Sequence, residues 1–324
     1  MVFKASGISV RTAERLILRD IDFEIAHGEI LGICGSSLQS TEALWRVLSC
    51  IDQADSGRVW LDGSELLETG DLKSRVATVE GRPQRSTAGW LERIFGKGTR
   101  PVGFPRDLIS EIGGAKRPVA VVVEPFTHSN LSERDGWVEK LKSLVKEKHI
   151  IMIIANTSFD DLMLACDKIL VLDGADVGQI GTPSEVYCDP SSVAVARATG
   201  RCNVFAARRL SSSKSEVPEF QSILGSHRFT TERVEKHRLG ALNQNVSLAI
   251  RPEHISISFG ASFPEDNVIR AVVERVSFLG PTTLVDCNAN GLPLTVNVMR
   301  LVGLSVGDEC LLGLPPERIR IFAA

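Results

Sequence analysis

The residues with the clearest chemical meaning lie between Gly28 and Gly63, which read GEILGICGSSLQSTEALWRVLSCIDQADSGRVWLDG. An apolar strand over 30–34, a glycine turn at Gly35, a helix from Glu42 and a short strand ending at Asp62-Gly63 form the frame of a phosphate-binding loop. In a working loop the spacing G-x-x-x-x-G-K-[ST] lets backbone amides cradle phosphates, a lysine neutralise them and a hydroxyl hold magnesium. Counted from Gly35, Ser40 stands for the second glycine, Thr41 for the lysine and Glu42 for the serine or threonine. The candidate phosphate-binding positions are therefore Gly35, Ser36, Ser37, Ser40, Thr41 and Glu42, with a neutral hydroxyl and a carboxylate in the places of the cation and the metal ligand. A carboxylate in the first turn of that helix competes with an anion for the same amides. At an effective dielectric of about 20, unit charges ~4 Å apart repel by about 4 kcal/mol. A simpler role is open for the same residues: Gly35 permits the strand-to-helix turn, and the serines cap the helix.

The elements that must position this loop can be read from hydrophobic pattern. Runs at 119–123 (VAVVV) and 150–155 (IIMIIA) are continuously apolar, as in strands covered on both faces. Further strands are predicted at 19–25, 58–61 and 169–172, and helices at 42–50, 133–146 and 159–166. In the 133–146 segment Trp137, Leu141 and Leu144 recur at helical spacing, and Lys140, Lys142, Lys146 and Lys148 read as a solvated face and the turn after it. Strands alternating with helices indicate an α/β layer fold. The polar stretch 208–217 (RRLSSSKSEV) reads as a linker or exposed loop. Beyond it short strands are predicted at 246–250, 255–259, 269–278, 283–287, 294–298, 309–314 and 319–322, separated by turn residues, which suggests a small barrel. No simple repeat is obvious. The expected division is 1–205 and 206–324.

Composition narrows the function classes. A chain of 324 residues with 43% hydrophobic and 24% charged residues is ordinary for globular protein, and two domains are expected. A formal charge of -3 without a basic stripe argues against nucleic acid as a partner. No segment has the length and apolarity of a membrane span or a signal peptide, so direct membrane insertion is not expected. The seven cysteines are scattered singly, with no C-x-x-C pair and no Cys/His cluster, so no metal site is expected from them. Cys34 and Cys166 sit in apolar runs and read as small buried hydrophobes.

Taken in order, GEILGICG (28–35), SGRVWLDG (56–63), VVVEP (121–125), LMLACDKILVLDGADVGQIGTPSEVYCDP (162–190), AIRPEHISIS (249–258), VERVSFLGPTTLV (273–285) and GDECLLGLPPERIRIF (307–322) resemble the ATP-binding subunits of ABC importers of the sugar, polyamine and iron type. The resemblance covers nearly the whole chain. It implies a P-loop NTPase-like ABC nucleotide-binding domain over 1–205, with a truncated helical subdomain, followed by an all-β, OB-like TOBE barrel domain over 206–324. It also implies ATP with magnesium as ligand, ABC permease subunits and a second, intact ATP-binding subunit as partners, a homo- or heterodimer, and a place at the cytoplasmic face of the inner membrane.

Carried over position by position, most of the family's working residues are replaced. The aromatic that stacks on adenine should lie near Arg11-Thr12, where none occurs. The glutamine that contacts magnesium falls near Gly81, with Gln84 off register; the aspartate of the second metal motif falls on Val123, and the catalytic glutamate survives as Glu124. The next conserved aspartate falls on Asn130 and the switch histidine on Thr157. The signature motif has only remnants, around Gly103 or at residues 112–116, and the interval from Gly81 to Glu124 is too short for the usual helical subdomain, holding a short helix at 88–95. The expectation is an importer subunit that does not hydrolyse ATP and has a structural or regulatory role. Two alternatives stand beside it: a competent ATPase in which Glu42 and Glu124 hold magnesium, and a stand-alone scaffold or sensor.

Overall fold

Uninterrupted apolar runs have one natural place in a layered fold, a strand with other elements on both faces. In the computed structural model, which describes residues 2–66, 75–80, 117–126, 131–155, 158–210, 217–232, 239, 241–260, 265–300 and 303–323, these runs form a six-stranded sheet. Its strands are β3 (Ile30–Gly35), β6 (Val76–Glu80), β7 (Val119–Val123), β8 (Ile151–Ala155), β9 (Lys168–Asp173) and β10 (Asp176–Gly181), in the order β10-β9-β3-β8-β7-β6. All neighbours are parallel except the β9–β10 hairpin.

Side-chain alternation splits this sheet between two cores. Leu31, Ile33, Val121, Ile153 and Leu172 face α1 (Leu38–Leu48) and a second, antiparallel sheet of β1 (Val2–Arg11), β2 (Leu16–Ala26), β4 (Ser56–Leu61) and β5 (Ser64–Glu65), in the order β2-β1-β4-β5. Ile30, Cys34, Val122, Ile154 and Val171 face α2 (Leu131–Lys148), α3 (Phe159–Ala165), α4 (Pro183–Cys188) and α5 (Val193–Ala198). The GTPSEVY segment has a local reason for its order. Thr182 and Glu185 form a reciprocal capping box and Pro183 opens the helix.

The chain divides into two compact units, Met1–Thr199 and Gly200–Ala324. The division falls earlier than residue 205 because Phe205 lies inside a strand, β11 (Asn203–Arg209). Arg208 and Arg209 of the expected linker belong to the same strand, which pairs with β12 (Glu219–Ser222) at Arg209↔Phe220, so this stretch joins two strands of one sheet.

The second unit holds two five-stranded antiparallel sheets around one core. One is ordered β13-β12-β11-β14-β20, the other β18-β17-β16-β19-β15. The remaining strands are β13 (Arg228–Thr230), β14 (Asn245–Ile250), β15 (Ser256–Ser258), β16 (Asn267–Phe278), β17 (Thr283–Ala289), β18 (Leu292–Val298), β19 (Glu309–Leu314) and β20 (Arg320–Ala323). These two sheets are the same arrangement twice, which the sequence pattern did not reveal. Ile250-Arg251-Pro252-Glu253-His254-Ile255 leads from β14 through a 3₁₀ turn into β15, and Leu314-Pro315-Pro316-Glu317-Arg318-Ile319 leads likewise from β19 into β20. Each turn delivers its last strand to the other half's sheet, where Ile257 pairs with Leu312 and Ile321 pairs with Leu248. Within the halves Asn203 pairs with Ile250, and Asn267 with Leu314.

Two matching side-chain clasps tie the halves together. Asn203 donates from Nδ2 to the Thr295 carbonyl (2.8 Å) and accepts at Oδ1 from the Thr295 amide (2.7 Å). Asn267 does the same with Thr230, at 3.0 and 2.7 Å. Buried Arg251 donates to the Arg201 carbonyl (3.2 Å), which fits a structural turn. Each clasp satisfies a backbone donor and acceptor, so Asn203→Ala and Asn267→Ala are each expected to cost roughly 1–3 kcal/mol. Urea unfolding of the full chain should show losses of similar size for the two. A clasp whose removal costs nothing would show that the halves are not held in this way.

Candidate functional site

β3 ends at Gly35, beside β9 in the parallel pair Gly35↔Leu172. A Cβ on Gly35 would stand 2.7 Å from the Leu172 carbonyl oxygen, so the glycine is required by the packing of two strands. Ser36 continues the seam: its amide donates to the Leu172 carbonyl (3.0 Å), and its hydroxyl accepts from the Gly174 amide (3.0 Å).

The helix does not start at Glu42. It starts at Leu38, with Ser37 as its N-cap. The Ser37 hydroxyl accepts from the Ser40 amide (3.3 Å), and the Ser37 carbonyl accepts from both the Thr41 amide (3.2 Å) and the Thr41 hydroxyl (3.1 Å). Serine is a favoured cap, and no second glycine holds the backbone open, so the chain winds into a helical turn where the template leaves a loop. The amides of Ser40 and Thr41 are thereby taken by the chain itself. Both side chains are buried.

Glu42 accordingly lies beyond the first turn, which contains no acidic residue. Its carboxylate is well exposed and stands 3.9 Å from the Arg46 guanidinium, one turn further along. The repulsion expected from a carboxylate at the helix start therefore does not apply at this position. The donor set of the template is nonetheless not reproduced here: the amides of Ser36, Ser40 and Thr41 are committed within the chain, and no cation stands at residue 41.

Near Arg11-Thr12, where the resemblance implies an adenine-stacking aromatic, the turn between β1 and β2 closes on itself. The Arg11 amide donates to the Asp55 carboxylate (2.5 Å), and the Thr12 hydroxyl donates to the Arg15 carbonyl (3.2 Å). The Arg15 guanidinium then reaches the Gln39 side-chain carbonyl on the first turn of α1. Arg15 and Gln39 carry no pattern in the sequence that distinguishes them from other exposed polar residues.

Glu124 follows β7 with a left-handed backbone (φ 51), and its amide donates to the Ala155 carbonyl at the end of β8 (2.9 Å). Because β8 lies between β3 and β7, Gly35 and Glu124 share the carboxyl edge of the sheet, two strand spacings or about 10 Å apart. The positions near Gly81 and Gln84, around Gly103, at 112–116, Asn130 and Thr157, and the helix expected at 88–95, lie outside the described residues. Among the described residues no group of three or more His, Cys, Asp or Glu side chains could hold a metal ion.

Burial pushes the Cys34 thiol up to about 12 and raises that of Cys166 as well, so both stay protonated. A Cβ on Gly32 would meet the Cys166 sulfur at 2.8 Å, and the pair packs β3 against the helix α3 side. Among the described residues no helix is long and apolar enough to cross a membrane.

Residues 248–322 match the family described as TOBE domain. Over longer stretches the chain is similar to the Fe(3+) ions import ATP-binding protein FbpC of Photorhabdus laumondii, with 21% identity covering 96% of this chain and 94% of the relative. It is similar to the spermidine/putrescine import ATP-binding protein PotA of Protochlamydia amoebophila, with 24% identity over 90% of this chain and 86% of the relative. It is also similar to the sulfate/thiosulfate import ATP-binding protein CysA of Bacillus cereus, with 20% identity over 99% of this chain and 98% of the relative.

Two substitutions separate packing from ligand chemistry at this site. Gly35→Ala is expected to destabilise the protein by roughly 1–3 kcal/mol through its clash with a backbone atom, seen as a lower unfolding midpoint without any nucleotide present. Glu42→Ala should change stability by less than about 0.5 kcal/mol, since an exposed ion pair one turn apart contributes little. A large loss on Glu42→Ala would show that its carboxylate has a partner other than Arg46.

Proposed function

We propose that the chain is a non-hydrolysing member of the ATP-binding subunits of ABC importers that carry a C-terminal TOBE domain. In this role it joins permease subunits and an intact ATP-binding subunit at the cytoplasmic face of the inner membrane, and contributes structure or regulation rather than ATP turnover. The observation that carries the proposal is the closed start of α1, where Ser37 takes the amides of Ser40 and Thr41. Support also comes from the residue types: Thr41 offers no positive charge, and Val123 offers no metal-binding oxygen beside Glu124.

Glu42 turns toward Arg46, which leaves the alternative of a magnesium site built from Glu42 and Glu124 without support in the geometry. The relatives named above are called after ferric iron, polyamines and sulfate, so we place the importer's solute among small ions rather than sugars. Its identity is set by the other subunits. The second unit, with its two equivalent halves, would supply the dimer contacts or the regulation.

Titration calorimetry with ATP and magnesium tests the proposal directly, with an intact ATP-binding subunit as control. No saturable heat is expected at ATP concentrations up to about 1 mM. Binding in the micromolar range, or hydrolysis above background, would overturn it. The double change Thr41→Lys with Glu42→Thr is expected to leave binding undetected, because restoring side chains does not free the two amides. Adding Ser40→Gly and Ser37→Gly, which removes the cap and reopens the backbone, should recover binding to the folded protein. Recovery by the double change alone would show that the helical turn opens at little cost.

A further inference from the structure

The duplication in the second unit supplies an internal control for every position in it. Where the fold alone dictates a residue, the two halves should agree; where they differ in chemistry at equivalent surface positions, the fold is not the reason. The β16–β19 pairs Arg270↔Leu311 and Val272↔Glu309 occupy the same places as the β11–β14 pairs Ala206↔Ser247 and Arg208↔Asn245. The second half thus has a cation, an anion and two apolar residues where the first has alanine, serine, arginine and asparagine.

These four residues floor a hollow of about 410 Å³ on the outer face of the second sheet, walled by Phe259 and Asn290. That volume lies within the range of small-molecule sites. Phe259 and Val272 are exposed to 55% and 41%, high for apolar residues. Arg270 and Glu309 stand diagonally across the strand pair, at a Cα spacing of about 7–8 Å. Among the described residues no hydrogen bond or ion pair reaches either side chain, and they do not pair with each other. An unpaired cation and an unpaired anion therefore bracket an apolar patch.

We propose that this hollow binds a small zwitterion of the α-amino-acid type. The carboxylate meets the Arg270 guanidinium, the ammonium meets the Glu309 carboxylate, and an apolar side chain lies against Phe259, Val272 and Leu311. Bidentate pairing makes arginine suited to a carboxylate, and the separated charges select a ligand that bears both. The assignment is independent of whether the first unit binds ATP.

The test is calorimetric titration of the full chain with L-leucine and with L-phenylalanine, beside N-acetyl-leucine and isoamylamine, each of which keeps one of the two charges. Saturable binding of an amino acid tighter than about 1 mM is expected, weakened at least about tenfold by Arg270→Ala and by Glu309→Ala. Both residues are exposed, and unchanged circular dichroism and melting would show that the variants are folded. Arg270→Gln and Glu309→Gln serve as milder replacements, with the same loss expected. The acetylated and the decarboxylated probes should bind wild type no better than the amino acid binds the variants. No saturation with either amino acid up to about 10 mM, equal affinity in wild type and both variants, or equal affinity for the singly charged probes would each overturn the proposal.

Discussion

A backbone amide at the start of a helix can be satisfied once. It donates to a bound anion or to a group of its own chain, and the choice decides what the site can do. In this chain the choice falls to Ser37, whose hydroxyl and carbonyl take the amides of Ser40 and Thr41. The threonine at residue 41 and the early helical turn act in the same direction. Without a cation at residue 41 a triphosphate has less to offer those amides, and without a second glycine nothing opposes the extra turn. The helix can then settle on its buried face, where Leu44, Trp45, Val47 and Leu48 enter the core shared by the two sheets of the first unit. The junction is held by this packing together with the Ser37 cap.

Packing also accounts for the two glycines of this strand. Gly35 lies against the Leu172 backbone and Gly32 against the Cys166 sulfur, so both glycines are held by contacts between neighbouring elements. Ser40 and Thr41 are buried through the helical turn that Ser37 caps, and Glu42 is exposed. Glu124 fits the same account. Its amide fastens the end of β7 to Ala155 at the end of β8, and its backbone adopts a conformation uncommon for a side chain of this kind.

Much of the fold was legible from the residues, and the exceptions have physical causes. The runs at 119–123 and 309–314 form strands over those very residues, because unbroken or alternating apolar patterns admit few other placements. β1 escaped notice because its pairing with β2 shifts register after Ala5 and again after Ile8, which breaks the alternation that marks a strand. β10 escaped because an edge strand reading DVGQIG buries no side chain fully. At the site, the candidate positions from Gly35 to Thr41 do form one strand-to-helix junction. Their hydrogen bonding was not legible, since a serine before Leu-Gln-Ser-Thr can cap a helix or line a loop, and only the competition between the two decides. Arg15 could not have been found from sequence, because an exposed arginine in a turn signals nothing until its partner on α1 is known.

The internal duplication was hidden for a related reason. The two halves share few residues beyond the Pro-Glu turn and the strands that flank it, and their hairpins differ in length: β16 runs from Asn267 to Phe278, whereas its counterpart β11 ends at Arg209. What they share is geometric: the crossing of β15 and β20 between the sheets, and the clasps of Asn203 and Asn267 on Thr295 and Thr230. Because each sheet is completed by a strand from the other half, neither half can bury its own edge, and the pair must fold as one body. The shared core fixes the inward positions of both halves, where small and branched apolar residues recur. Outward positions carry no such burden. The charges at Arg270 and Glu309 stand on such positions in one half alone, no described residue pairs with them, and a ligand that brings both charges would supply both partners.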